Sequence, residues 1–187
     1  MIKRIVDLFL VLVALIIFFV PMLFVAICIR LTSEGPIIFW SDRVGQRNQI
    51  FRMPKFRTMR VNTPNVATHL LASAGQYLTP IGGFLRKSSL DELPQLWSVL
   101  VGDMSFVGPR PALYNQYDLI EMRTRVGLDA LLPGITGWAQ VNGRDELSLQ
   151  DKVDLDWQYL NKQSFLFDQY ILLLTVLKVF RREGVSH

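Results

Sequence analysis

Leu8 to Ile29 is a run of 22 residues without a charge, bounded by Asp7 and Arg30. A bilayer core needs about 20 such residues. A cleaved signal peptide fits poorly, because the run is too long and no small-residue cleavage site follows it. A single transmembrane helix satisfies the length. Pro21 pulls against an unbroken span: it cannot donate to the carbonyl of Ile17, and it biases Val20 away from helical geometry. Charge pulls the same way. Lys3 and Arg4 precede the run, while Arg30, Arg43, Arg47 and Arg52 follow it, so the positive-inside bias draws both flanks to the cytoplasm. A helix that enters, turns at Val20-Pro21 and returns on the same side satisfies the length, the proline and the charges together.

The remainder reads as one domain. Half of the 187 residues are hydrophobic and 19% are charged, which excludes a disordered chain. The single Cys28 cannot form an internal disulfide, and no Cys/His cluster suits zinc. With His69 and His187 the only histidines, Ser-His-Asp and Cys-His catalysis are disfavoured. Ile37 to Trp40 and Gln49 to Arg57 read as short strands, with Arg47-Asn48 in the turn between them. Short helices are expected at Val66 to Ala74 and Pro80 to Lys87. Ser89 to Val101 is expected to be a helix with Leu93, Leu96, Trp97 and Leu100 on one face, Pro94 in its first turn, and Gly102 ending it. Ser89 with Glu92 spells a capping box; Asp91 is the other candidate cap. Gly108-Pro109-Arg110-Pro111 and Pro133-Gly134-Ile135-Thr136-Gly137 read as stiff turns. Gln150 to Leu160 and Phe165 to Arg182 read as helices, the last with basic residues beside an apolar face, which favours a membrane interface.

No acidic residue lies between Asp42 and Asp91, while eight basic ones do: Arg43, Arg47, Arg52, Lys55, Arg57, Arg60, Arg86 and Lys87. Anionic lipid and a phosphorylated substrate both suit such a stretch. A sequence-reading nucleic-acid module is disfavoured, since no recognition motif is visible. Asp91-Glu92 closes the basic interval. Adjacent carboxylates at a helix start can simply complement the macrodipole. The sharper reading is catalytic: an ionised Asp near cations is a nucleophile toward phosphorus, and its neighbour can hold Mg²⁺, which takes one or two carboxylates plus substrate phosphates. Asp154-Leu155-Asp156 is a D-x-D, a pattern some glycosyltransferases use for a metal-bound nucleotide and one that is common by chance. The G-x-x-x-x-G-K-[ST] and G-x-G-x-x-G nucleotide loops are absent.

The motifs then form a series. Lys55-Phe56-Arg57-Thr58-Met59 is followed by Ser89-Leu90-Asp91-Glu92-Leu93-Pro94-Gln95-Leu96. Next come Gly102-Asp103-Met104-Ser105-Phe106-Val107-Gly108-Pro109-Arg110-Pro111 and Pro133-Gly134-Ile135-Thr136-Gly137-Trp138-Ala139-Gln140-Val141-Asn142-Gly143-Arg144. Together they closely resemble the bacterial sugar transferases, the small monotopic phosphoglycosyl transferases that carry only a catalytic core. The likeness runs from the membrane segment to the last helix. It implies an α+β, predominantly helical fold with a re-entrant membrane helix over residues 1–31, a short β-hairpin, amphipathic interfacial helices, and a membrane-associated catalytic domain over residues 32–187.

The resemblance also implies a reaction. Such enzymes move a sugar-1-phosphate from a UDP-sugar to undecaprenyl phosphate, giving an undecaprenyl diphosphate sugar and UMP. Asp91 would attack the sugar-bearing phosphorus and carry a phospho-sugar, and Glu92, with Asp91, would support Mg²⁺. Arg86, Arg110 and Arg144, with Lys55 and Arg57, would bind substrate phosphate. The implied setting is the cytoplasmic face of a bacterial inner membrane, with membrane lipids as neighbours and downstream glycosyltransferases as further partners. Where some members have Ser-Pro at the helix break, this chain has Val20-Pro21. The rival readings are a metal-dependent glycosyltransferase using Asp154 and Asp156, and a non-catalytic membrane adaptor. Neither the sugar nor the oligomeric state leaves a mark in the sequence.

Overall fold

The computed structural model describes residues 2–63, 74–143 and 146–181. The apolar run forms helix α1, Ile2–Thr32, with Pro21 inside it. The expected interruption at Val20-Pro21 is absent: the helical path is continuous there. One missing N–H is tolerated where flanking turns hold the helix. α1 buries a single stripe, Asp7, Val11, Val25 and Ile29, at helical spacing. Ile16, Phe19, Val20 and Phe24 are exposed, and only 11% of the most apolar 18-residue window is buried. By length and composition α1 is apolar enough to cross a membrane, and most of its surface is uncovered, unlike that of a helix enclosed in a core.

Both ends of α1 nevertheless grip the same body. Near the start, Arg4 donates to the carbonyls of Val99 (2.5 Å) and Leu100 (2.8 Å), and Lys3 pairs with Asp168 at 2.5 Å. Buried Asp7 accepts from Ser105 Oγ and the Phe106 N–H, each at 3.1 Å. Near its end, Val25 and Ile29 pack with Phe56 and Leu85. Val11 packs in a second cluster with Met53, Leu96, Val99 and Met104.

The expected hairpin is present. β1, Ile38–Val44, pairs antiparallel with β2, Ile50–Phe56, in register Ile38↔Phe56 through Val44↔Ile50. Arg47 and Asn48 both take left-handed backbone, φ 54° and 57°, and close the turn. Helix α2, Gly82–Lys87, falls within the predicted Pro80–Lys87 segment. The helix predicted at Val66 to Ala74 lies outside the described residues, apart from its last one.

The predicted single helix over Ser89 to Val101 is two elements. Leu90–Gln95 winds as a 3-10 helix containing Pro94, and α3, Leu96–Val101, follows, ended by Gly102 at φ 104°. Pro94 has no N–H to give to the Leu90 carbonyl, and the regular α-helix begins only after it. The two stiff turns are joined by a short parallel pairing, β3 (Ser105–Val107) with β4 (Gly134–Thr136). Here a Cβ on Gly108 would overlap Leu132 O, and one on Gly134 the backbone of Gly108 and Thr136. Backbone packs directly on backbone, so only glycine fits.

The rest is helical: α4 (Tyr117–Arg125), α5 (Trp138–Val141), α6 (Leu149–Lys162) and α7 (Phe165–Arg181). Ser148 caps α6, its Oγ accepting from the Asp151 N–H. Val107, Val141, Tyr159 and Ile171 form one core beneath α5, α6 and α7. α7 leaves Leu166, Tyr170, Leu173 and Leu177 exposed on its other side.

Candidate active site

The 3-10 segment carries Asp91 and Glu92 between two cores. Leu90 and Leu93 pack toward Phe56 and Leu85, and Leu96 toward Met53 and Val99. Ser89 enters it in left-handed backbone, φ 56°, and its hydroxyl caps nothing. The expected capping box therefore does not form. The carboxylate of Glu92 is instead held by the hairpin and the Gly-Pro-Arg-Pro turn: Glu92 Oε1 lies 2.8 Å from Lys55 Nζ and 2.6 Å from Arg110 Nη2.

The hairpin register explains Lys55. Cross-strand partners share a face, so Arg43, Ser41, Met53 and Lys55 all point to one side, toward the 3-10 segment. Arg43 donates from Nε to Ser41 Oγ (3.0 Å) and from Nη1 to Pro111 O (3.2 Å). Arg110 is set by its turn. The Gly134 N–H donates to Pro109 O and the Gly108 N–H to Thr136 O, both at 2.9 Å. The Val44 N–H donates to Ala112 O, tying the turn to the hairpin edge. Arg86, in the last turn of α2, donates from Nε to Thr58 Oγ1 at 3.0 Å.

The two adjacent carboxyls have opposite character. Burial alone would raise the Glu92 pKa, but Arg110 and Lys55 overturn that and hold it well below the usual carboxylate range. For Asp91 burial dominates, aided by Glu92's charge, and its pKa is raised although Lys55, Arg86 and Arg110 oppose this. Burial and the nearby Arg110 bring Arg43 down to about 10, with Glu92 opposing. The Asp91 carboxylate is 8% exposed as a residue and accepts no hydrogen bond among the described residues. Glu92 is thus a fixed anion and Asp91 an uncommitted, more basic one.

Among the described residues, Arg43, Lys55, Arg86 and Arg110 all act on Asp91 or Glu92. A cation-rich, half-buried cluster of this kind suits a phosphate-bearing ligand. For a divalent cation, Glu92 Oε2 has only a long 3.5 Å contact to Arg110, and Asp91 is open. No group of three or more candidate metal ligands occurs among the described residues. The donor set fits Mg²⁺, which takes few protein carboxylates when substrate phosphates complete the shell.

Of the residues singled out in the sequence, Asp91, Glu92, Lys55, Arg86 and Arg110 come together. Arg57 does not join them: its guanidinium donates to the carbonyls of Ser33 (3.0 Å) and Glu34 and to Ser33 Oγ, fastening the end of α1. Arg144 lies outside the described residues. Asp154 and Asp156 are separated by the helix itself. Asp154 is exposed and accepts from Gln150, whereas Asp156 is buried against Arg123 at 2.6 Å. Residues two apart on a helix point nearly opposite ways, so this D-x-D cannot close on one ion. Arg43 was missed as a site residue. Its membership depends on strand register, which its place in the basic interval does not reveal.

A family model described as bacterial sugar transferase matches residues 1–182. An uncharacterised sugar transferase of Bacillus subtilis, EpsL, is 41% identical over 167 residues, covering 89% of this chain and 81% of its own. A UDP-glucose:undecaprenyl-phosphate glucose-1-phosphate transferase of Escherichia coli is 41% identical over 168 residues, 83% of this chain and 35% of the relative. A UDP-N-acetylgalactosamine-undecaprenyl-phosphate N-acetylgalactosaminephosphotransferase of Aeromonas hydrophila is 35% identical over 189 residues, 98% of this chain and 44% of the relative. The chain therefore spans less than half the length of the two relatives named for a reaction, and most of EpsL. With the cation-lined Asp-Glu pair inside a match that runs nearly end to end, this chain belongs to the bacterial sugar transferase family.

Proposed function

We propose that this protein transfers a sugar-1-phosphate from a UDP-sugar to undecaprenyl phosphate, through a covalent phospho-sugar on Asp91. The observation that carries the reading is the contrast within the acidic pair: Glu92 is clamped by Lys55 and Arg110, while Asp91 beside it is uncommitted and more basic. The names of the E. coli and A. hydrophila relatives support the two substrate classes.

In the first step an Asp91 oxygen bonds the sugar-bearing phosphorus, and the bond from that phosphorus to the bridging oxygen breaks, releasing UMP. In the second, a phosphate oxygen of the lipid bonds the same phosphorus and the Asp91 carboxylate leaves. Lys55, Arg43, Arg86 and Arg110 hold the phosphate oxygens and offset repulsion between carboxylate and diphosphate. Glu92 orients Lys55 and Arg110. Mg²⁺ held by Glu92 Oε2, with Asp91 nearby, would supply further neutralisation of the diphosphate charge.

The site belongs at a membrane surface, since one substrate is soluble and the other stays in the bilayer. A helix that crosses a bilayer separates its ends by about 30 Å of hydrocarbon. Lys3, Arg4 and Asp7 at one end of α1 and Val25 and Ile29 near the other all contact one body, which supports a monotopic arrangement. In this reading the exposed face of α1, Val20 included, lies in the cytoplasmic leaflet of the inner membrane, and the exposed face of α7 lies in the interface. The test is UMP release from a panel of UDP-sugars with undecaprenyl phosphate. UMP supports the proposal; UDP in its place would select sugar transfer without phosphate, and lipid binding without turnover would select an adaptor.

A further inference from the structure

The D-x-D is left without a ligand, yet its second carboxylate is among the most deeply buried polar groups described. Asp156 is 1% exposed. Arg123, from α4, donates to its Oδ2 from Nε (3.1 Å) and Nη2 (2.6 Å). The third arm of the same guanidinium, Nη1, donates to the carbonyl oxygen of Arg110 at 2.8 Å. Planar, fixed donors make this a rigid link: the Asp156 carboxylate sets the plane of Arg123, and that plane sets where the Arg110 carbonyl sits. The next carbonyl, Pro111, takes Arg43 Nη1, and the preceding one, Pro109, takes the Gly134 N–H. Three successive carbonyls are thus pinned from three elements, and the side chain that emerges from the middle one holds Glu92 beside Asp91.

We propose that Arg123 and Asp156 are positioning residues for the transfer reaction, acting as a strut from α6 through α4 that fixes the backbone of Arg110 and hence the phosphate-facing guanidinium. The inference rests on the function proposed above for the Asp91 cluster. The competing role is purely structural: the pair merely ties α4 to α6.

Arg123→Ala would strand a buried carboxylate and risks unfolding. Arg123→Lys is the informative change. Lysine keeps the ion pair with Asp156 but cannot also span to the Arg110 carbonyl. Turnover of Arg123→Lys should fall about tenfold with KM near the wild-type value, the scale expected when a catalytic group is displaced by less than an ångström. Asp156→Asn, which lets the Arg123 plane turn, should slow turnover in the same way. In an Arg110→Ala background either change should cost little more, because the group being positioned is gone. Wild-type turnover in Arg123→Lys, or a full further tenfold loss on top of Arg110→Ala, overturns the proposal. A second readout needs no substrate: the melting-temperature shifts of Arg123→Lys and Glu92→Gln, which touch opposite ends of Arg110, should be non-additive. Additive shifts would also overturn the strut. Non-additive shifts in a protein that releases no UMP would leave the strut standing and the proposed reaction refuted.

Discussion

Two acidic pairs stand out in this chain, and the structure treats them oppositely. Asp91 and Glu92 are adjacent on a tight 3-10 turn and share one ring of cations. Asp154 and Asp156 are two apart on a regular α-helix, and the helix sends one into solvent and one into the core. In the sequence both pairs are chemical candidates, the first for its basic neighbours and the second for its spacing. Local winding and what faces the winding separate them: the first segment is a 3-10 turn, and the hairpin presents Lys55 and Arg43 to it.

The largest expected difference between the pairs is in turnover. Asp91→Asn keeps shape but removes the ionised oxygen, so UMP release should drop about ten-thousand-fold or more. A folded Asp91→Asn protein with substantial turnover would put Asp91 back among ordinary helix-start residues. Arg86→Ala and Arg110→Ala come next, each about a hundredfold slower, the worth of one charge-assisted contact that strengthens in the transition state. Lysine should restore only part, lacking the planar fork.

Stability sharpens the contrast within the first pair. Glu92 has a depressed pKa, so it stabilises the fold above its ordinary value of 4.5, and that contribution is lost as pH falls through the lower folded value. Asp91 has a raised pKa, so its contribution is present below 3.8 and is lost as pH rises through the raised value. At neutral pH Glu92→Gln should therefore lower the melting temperature, by the equivalent of about 3 kcal/mol for a broken buried pair. Asp91→Asn should melt no lower than the wild type. Thermal melts across pH 3 to 7 check both signs. The smallest effect is expected at the second pair's exposed member: Asp154→Ala should leave turnover unchanged and stability within about 0.5 kcal/mol. A clear loss of turnover there would revive the D-x-D.

Much of this was legible in the residues, for identifiable reasons. The hairpin announces itself through Arg47-Asn48, because asparagine tolerates the left-handed backbone a tight turn needs. Gly102 stops α3 for the related reason that it reaches φ 104°. Asp91, Glu92, Lys55 and Arg110 lie in the series of motifs, and Arg86 enters through the resemblance those motifs carry. The pairing of β3 with β4 is not legible there, since three-residue strands flanked by Gly108-Pro109 and by Pro133 and Gly137 read as turns until the distant partner is in place. Arg57 shares the Lys55-Phe56-Arg57-Thr58-Met59 motif, so the resemblance implies phosphate binding for it as for Lys55. Lys55 is in a strand facing the acidic pair, and Arg57 lies past the strand end, where it reaches the carbonyls at the end of α1. Arg43 and Arg123 gain their meaning only from tertiary neighbours, and no local pattern marks them.

Covalent attachment of the phospho-sugar to Asp91 can be caught in an experiment that leaves out the acceptor. Protein in bilayer discs, mixed with its UDP-sugar but no undecaprenyl phosphate, should release UMP up to one equivalent per active site and then stop, apart from slow hydrolysis. Mass spectrometry of the trapped protein should find the phospho-sugar on Asp91, and the Asp91→Asn protein should show neither burst nor adduct. UMP that appears only once the lipid acceptor is added, or an adduct on another residue, would rule out the Asp91 intermediate.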